Sequence, residues 1–128
     1  MKTLGACIDM LAPGRLVLEM AHAPHLTQQH GFLHAGMLAA ALDSACGYAA
    51  ATLAPPDAEV LTIEYKINLL APARGPRFRL EGQVVKAGRT VSVVDGRAWQ
   101  HAGDPAAAPA LVATMTASII SIVGRRLG

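Results

Sequence analysis

The chain has 128 residues, 52% hydrophobic, 4% aromatic and 16% charged, with a formal net charge of +2. That length allows one domain around one core, and the composition excludes a disordered chain, which combines low hydrophobicity with high charge. The 12 Gly and 8 Pro follow no repeat, so a fibrous protein is excluded as well.

Gly14 to Ala23 reads as a first strand, with Leu16, Leu18 and Met20 on one face. Pro24 to Leu33 is polar and irregular. Ala35 to Leu53 reads as one long helix made largely of Ala, Leu and Met, which are strong helix formers. Gly47 weakens it slightly, and Pro55-Pro56-Asp57 stops it. Its apolar residues cover all sides, which predicts a helix enclosed by other structure. Val60 to Leu70 alternates, with Leu61, Ile63, Tyr65, Ile67 and Leu69 on one face and Thr62, Glu64, Lys66 and Asn68 on the other. Arg77 to Lys86 alternates too, placing Phe78, Leu80 and Val84 opposite Arg77, Arg79, Glu81 and Gln83. Ala87-Gly88 links it tightly to a strand over Thr90 to His101. After a short connector at Ala106 to Pro109, Leu111 to Val123 is the last strand. Alternation with a period of two at this spacing predicts antiparallel neighbours. The expected fold is therefore α+β, a five-stranded antiparallel sheet wrapped around one long central helix, forming a single domain over residues 1–128.

The mean hydropathy of +0.35 is high for a soluble monomer of this size. No apolar run reaches the roughly 18 residues that a spanning helix needs. The expectation is no membrane span, with apolar surface buried between copies of the chain. The basic residues Arg74, Arg77, Arg79, Lys86, Arg89, Arg125 and Arg126 form no stripe interleaved with aromatics. Nucleic acid is therefore not expected as a partner, although a few such groups can hold a small anion. Cys7 and Cys46 form neither a CxxC motif nor a disulfide framework. Leu4-Gly5-Ala6-Cys7 resembles a lipoprotein cleavage box, but six preceding residues cannot form an apolar signal core. A reducing cytoplasm is the expected location. His22, His25, His30 and His34 fit no zinc-ligand spacing, and no metal is expected.

Asp43 is the one charge between Ala35 and Ala54. A carboxylate among Ala39, Ala40, Leu42, Ala45 and Cys46 loses solvation unless it is paired or lines a cavity. A solvent-facing Asp is the plain alternative; a nucleophile or general base is the functional one. The helix start, His34-Ala35-Gly36, gathers free N–H groups at the positive end of the helix dipole. It is a natural oxyanion hole, and its small side chains admit a substrate. Eight residues place Asp43 about 12 Å along the axis from Ala35, too far to act on one carbonyl. Two antiparallel helices across a twofold axis would bring one chain's Asp43 beside the other's helix start, which predicts a homodimer.

Gln28-x-x-Gly31-x-x-His34-Ala35-Gly36, followed by Asp43-Ser44-Ala45, resembles the signature of hotdog-fold acyl-CoA thioesterases of the phenylacetate-pathway (PaaI-like) branch. Leu61 to Ala73 and Lys86-Ala87-Gly88-Arg89-Thr90 look like its second and third blocks. The resemblance runs from about Gly14 to Ile122. It implies a hotdog fold, dimers and often tetramers, and hydrolysis of an acyl-CoA to a free acid and CoA. Coenzyme A is then part of the substrate, and no cofactor is implied. By matching position, Asp43 is the nucleophile or the base that activates water, and Thr62 assists it. The N–H of Ala35, beside Gly36, polarises the thioester carbonyl. Gln28 orients water or that carbonyl, and His34 supports the loop or contacts the thioester. Gly88, Arg89 and Thr90 lie near the nucleotide or phosphates. Two departures stand out: Gln28 replaces the usual Asn and lengthens its reach, and Ala35 replaces a Gly, keeping the N–H but narrowing the acyl approach.

Two other functions compete. A hydratase or dehydratase of enoyl or hydroxyacyl thioesters needs a His and a carboxylate acting together, which His30, His34 and Asp43 do not obviously supply. A non-catalytic acyl-CoA binder gains nothing from a costly charge in an apolar helix. Trp99, Tyr48, Phe32 and Met37 are candidates to line an acyl tunnel, with core packing as the default reading of each.

Overall fold

The structure is a computed structural model that describes residues 1–124, so Arg125 and Arg126 lie outside the described residues. Six strands and one long helix follow in order: β1 (Cys7–Ala12), β2 (Arg15–Ala21), α1 (Ala35–Ala51), β3 (Ala58–Leu69), β4 (Arg77–Ala87), β5 (Val91–His101) and β6 (Ala110–Val123). The strands form one antiparallel sheet in the order β1-β2-β4-β5-β6-β3, and α1 packs on one face of it. This is the α+β hotdog architecture, with six strands rather than five. The strand missing from the sequence reading is β1. It is short, lies on the sheet edge, and carries an irregularity between Ile8 and Met10. Ile8 and Leu11 are both exposed, so no buried face imposes alternation. No helix among the described residues is long and apolar enough to cross a membrane.

The core lies between α1 and the sheet. Leu16, Leu18 and Met20 of β2, Phe78 and Leu80 of β4, and Met115, Ala117 and Ile119 of β6 pack against Leu38, Leu42, Ala45 and Ala49 of α1. The helix sits close because Gly82 and Gly96 lie opposite one another on the central strands. A Cβ at Gly82 would run into the Ala45 carbonyl and the Cys46 nitrogen; at Gly96 it would come within 3.0 Å of Cys46 Sγ. This notch fixes the depth of the helix turn that follows Asp43.

One side of α1 is left uncovered by the rest of the chain. Gly36, Ala40, Tyr48 and Ala51 are exposed, and Asp43, Ser44 and Gly47 are half-buried along the same stripe. Beside it runs β3, an edge strand whose Leu61, Ile63, Tyr65 and Leu69 are exposed. The expectation of a helix covered on all sides therefore fails within a single chain, and an apolar strip of helix and edge strand stays open. A bulge between Thr62 and Glu64 also breaks the expected alternation. Thr62 pairs with the buried Ile119, so its hydroxyl faces the helix, and Tyr65, Ile67 and Leu69 share that face. Strict alternation would put Thr62 on the face opposite Tyr65, Ile67 and Leu69, and the bulge brings them onto one.

Candidate active site

Three groups of site residues lie at three positions along α1. At mid-helix, Thr62 Oγ1 donates to Asp43 Oδ1 at 2.8 Å. The carboxylate is half-buried and lines a recess of about 380 Å³ with Ser44, Tyr48, Leu61, Thr62 and Ile119. A second recess, of about 360 Å³, joins Asp43 and Thr62 to Ile63, Glu64 and Tyr65. Asp43 is thus neither a buried ion nor a surface charge. One oxygen is held by a hydroxyl, and open space lies alongside. A charge-assisted bond of this kind orients the carboxylate while leaving its remaining lone pairs free.

One turn further on, Cys46 is fully buried. Burial, reinforced by the carboxylates of Asp43 and Asp95, pushes its thiol up to about 12. It stays protonated and inert beside the site.

At the helix start, His34 is the N-cap. Its backbone is extended (φ −62°, ψ 135°), and its Nδ1 accepts the Gly36 N–H at 2.9 Å. The His34 carbonyl takes the N–H groups of Met37 and Leu38. The Gly36 N–H is therefore already engaged, while the Ala35 N–H has no acceptor among the described residues. Ala35 lines a largely apolar pocket of about 440 Å³ with Gln28, Phe32, Leu33, Leu38 and the Leu69–Ala73 segment. Gln28 lies on its wall. The Gln28 Oε1 accepts from the backbone N–H groups of His30 and Phe32, which leaves the amide NH₂ as its free donor. Gln28 is accordingly set to donate to an oxygen in the pocket rather than to accept a proton from water.

At the far end of α1, Gly88 and Arg89 line a narrow recess of about 40 Å³ with Ala50, Leu53, Ser92 and Ser121. Thr90 belongs to the same hairpin, and its carbonyl accepts the Ser121 N–H. The Ser121 hydroxyl is buried there without a hydrogen-bond partner. Such a volume holds about one water molecule, so a phosphate would meet this hairpin only at its outer surface.

The structure brings Asp43 and Thr62 together, and Ala35 and Gln28 together. Within one chain the two pairs remain about 12 Å apart along the helix. Of the proposed tunnel residues, Phe32 and Tyr48 line recesses, and Met37 packs at the edge of the core. Trp99 lies on the opposite face of the sheet, in a charged recess of about 530 Å³ with Glu81, Asp95 and Arg97. That recess is the more spacious, but it holds none of the candidate chemistry. The sequence reading did not place the Leu69–Ala73 wall in the site. Its signal was the Leu-Leu-Ala-Pro-Ala run, an apolar stretch of which only Ala73 is buried.

Comparison with known proteins identifies the family and the fold. A sequence model of the thioesterase superfamily matches residues 30–107. A Saccharolobus solfataricus protein that carries the provisional name of esterase is 37% identical over 94 residues, covering 73% of this chain and 66% of its own length. A second such protein from the same organism is 34% identical, with 75% and 63% covered. The matches thus span just under two thirds of these relatives. Among solved structures, a thioesterase-family protein from Silicibacter pomeroyi superposes with a TM-score of 0.92 at 49% identity, over 97% of this chain and 89% of that one. The Escherichia coli PaaI protein of the phenylacetic acid degradation operon superposes with a TM-score of 0.83, over 96% and 83%; its 22% identity speaks to the fold alone. With most of its length matched by the family's sequence model and all of its described strands arranged around one helix in the hotdog manner, this chain belongs to the thioesterase superfamily.

Proposed function

We propose that the protein hydrolyses acyl-CoA thioesters to a free acid and CoA, at sites shared between two protomers. The observation that carries this reading is the Asp43 carboxylate, held by Thr62 at 2.8 Å beside open recesses on the unenclosed side of α1. In the dimer, Asp43 of one protomer acts on a thioester whose carbonyl oxygen is held by the Ala35 N–H at the partner's helix start. Asp43 serves as the nucleophile or as the base that activates water. The Ala35 N–H and the Gln28 NH₂ stabilise the oxyanion as it forms. The carbon–sulfur bond then breaks. On the base route the proton that Asp43 took from water passes to the sulfur, and CoA leaves as its thiol. On the nucleophile route solvent protonates the thiolate, and water hydrolyses the acyl-aspartyl anhydride to the free acid and the Asp43 carboxylate. The apolar 440 Å³ pocket takes part of the substrate, and the Gly88-Arg89-Thr90 surface lies within reach of the nucleotide. The exposed Leu61, Ile63, Tyr65 and Tyr48 strip supports the pairing of copies, and a dimer of dimers extends the same reading. A cytoplasmic location fits such a substrate.

The hydratase alternative is less well supported. His22 and His25 contact backbone carbonyls, His30 contacts Gln29, and His34 caps the helix; none is paired with a carboxylate among the described residues.

The test uses two variants. Asp43→Asn removes the carboxylate. Ala35→Pro removes the N–H, and Pro is tolerated at the first helical position, where the extended backbone of His34 already suits a following proline. Each variant alone is expected to lose thiol release from a panel of acyl-CoAs. Co-refolding the two should restore about a quarter of the wild-type rate, because half the dimers are mixed and each holds one intact shared site. Full activity in Asp43→Asn overturns the catalytic reading; no recovery on mixing overturns the shared site.

A further inference from the structure

The mouth of the apolar pocket carries a cation that the proposed chemistry does not use. The pocket is walled by two loops, Gln28–Leu33 and Leu69–Ala73, and these are tied together. The Leu33 N–H donates to the Ala73 carbonyl at 2.9 Å, and His22 joins them by placing Nε2 2.9 Å from the Gly31 carbonyl and its Cβ against Gly75. Gln100 of β5 pins the second loop from behind. Its Oε1 accepts the N–H groups of Arg74 and Gly75 at 2.8 and 3.1 Å, and its Nε2 donates to the Pro72 carbonyl at 3.3 Å. The backbone of Arg74 is thereby fixed at the pocket rim, and its guanidinium lies over the Phe32 ring, 5.3 Å from the centroid. Phe32 itself lines the pocket beside Gln28 and Ala35. Arg74 is exposed and has no carboxylate partner among the described residues, where the one ion pair is Arg15 with Glu81.

We infer that Arg74 recognises an anionic group of the thioester substrate where that substrate leaves the apolar pocket. The inference rests on the thioesterase reading above and names a specificity residue for it. The cation–π contact with Phe32 anchors the guanidinium, whose N–H groups have no acceptor among the described residues. A planar donor fork of this kind pairs two oxygens of one phosphate or carboxylate. The pinned backbone lowers the cost of holding it there. The anion belongs either to the carrier, as a CoA phosphate, or to the acyl group, as a carboxylate at its free end. Both are the same oxyanion chemistry.

Four substrates separate these sources: butyryl-CoA, the butyryl and glutaryl thioesters of N-acetylcysteamine, and glutaryl-CoA. The readout is the ratio of kcat/KM between anionic and neutral members of a pair. For Arg74→Ala, at least one ratio should fall about tenfold, the size of one solvent-exposed charge-assisted hydrogen-bond pair. A fall in butyryl-CoA against butyryl-N-acetylcysteamine identifies phosphate. A fall in glutaryl- against butyryl-N-acetylcysteamine identifies carboxylate. Arg74→Lys should recover part of the loss. Arg97→Ala, on the far face of the sheet, is the control for net charge. Neither ratio moving, or Arg97→Ala moving them as far, overturns the inference while leaving the thioesterase reading intact. A wild type inert on all four overturns that reading, and this inference with it.

Discussion

Thr62→Val probes the proposed chemistry with the smallest change. Valine keeps the shape and the strand preference of threonine but removes the one hydrogen bond that the Asp43 carboxylate makes among the described residues, 2.8 Å from Thr62 Oγ1. Hydrogen bonds to charged groups contribute about 1.5–3 kcal/mol. Asp43 is half-buried, so water replaces part of the loss and the lower end applies. A deficit of about 1.5 kcal/mol in orienting the carboxylate lowers kcat/KM roughly tenfold. Thr62→Ser, which keeps a hydroxyl, should stay closer to wild type. The assay is thiol release under steady-state conditions for Thr62→Val, Asp43→Asn and the double variant. If Thr62 acts through Asp43, the double variant is no slower than Asp43→Asn alone. Wild-type kcat/KM in Thr62→Val, or losses that multiply in the double variant, would refute the reasoning.

Two further outcomes follow from the packing around the site. Gly82→Ala sets a methyl against the Ala45 carbonyl carbon at 2.6 Å, about 1 Å inside ordinary contact; the helix must lift, costing about 1–3 kcal/mol. A thermal melt should show a Tm several degrees lower, whereas Gly103→Ala, with nothing within 4 Å, should melt as wild type. The raised thiol of Cys46 gives a pH signature. The folded chain keeps this proton to about pH 12, whereas an unfolded thiol releases it near 8.5. The contribution is thus complete below about pH 8.5 and is lost as pH rises toward 12, so unfolding should need less denaturant in mild alkali. A thiol reagent should meanwhile label exposed Cys7 in the native protein and reach Cys46 only after denaturation.

Much of this architecture was legible in the chain because burial imposes a pattern. The helix from Ala35 was marked by its Ala, Leu and Met content and by the prolines after it, and β4 by Phe78 and Leu80 against charged neighbours. What stayed illegible is where burial does not discriminate. β1 leaves Ile8 and Leu11 in the open, so nothing in its sequence announces a strand. The bulge in β3 depends on its pairing with β6, and it turned Thr62 toward the helix when strict alternation sent it with Lys66 and Asn68. Trp99 looked like core material, yet it sits on the charged face of the sheet. In the candidate site, Asp43 stood out as a charge without a polar neighbourhood. That Gln28 turns its oxygen to the N–H groups of its own loop, two and four positions on, follows from an irregular backbone that no periodicity marks. That Gln100 grips the segment carrying Arg74 depends on a contact between residues 26 positions apart, which no local pattern records.

The irregularity in β3 makes one residue of that strand dispensable to the ladder. Thr62 faces Ile119 and Glu64 faces Ser118, which are successive rungs, so Ile63 between them has no rung of its own. Excising a residue from mid-strand ordinarily inverts every side chain beyond the cut. Here the cut at Ile63 would leave Thr62 toward Asp43 and Tyr65 where it stands, and would only straighten the rim of the sheet. Chain length at this one position is thus free to vary while the hydroxyl–carboxylate pair keeps its setting.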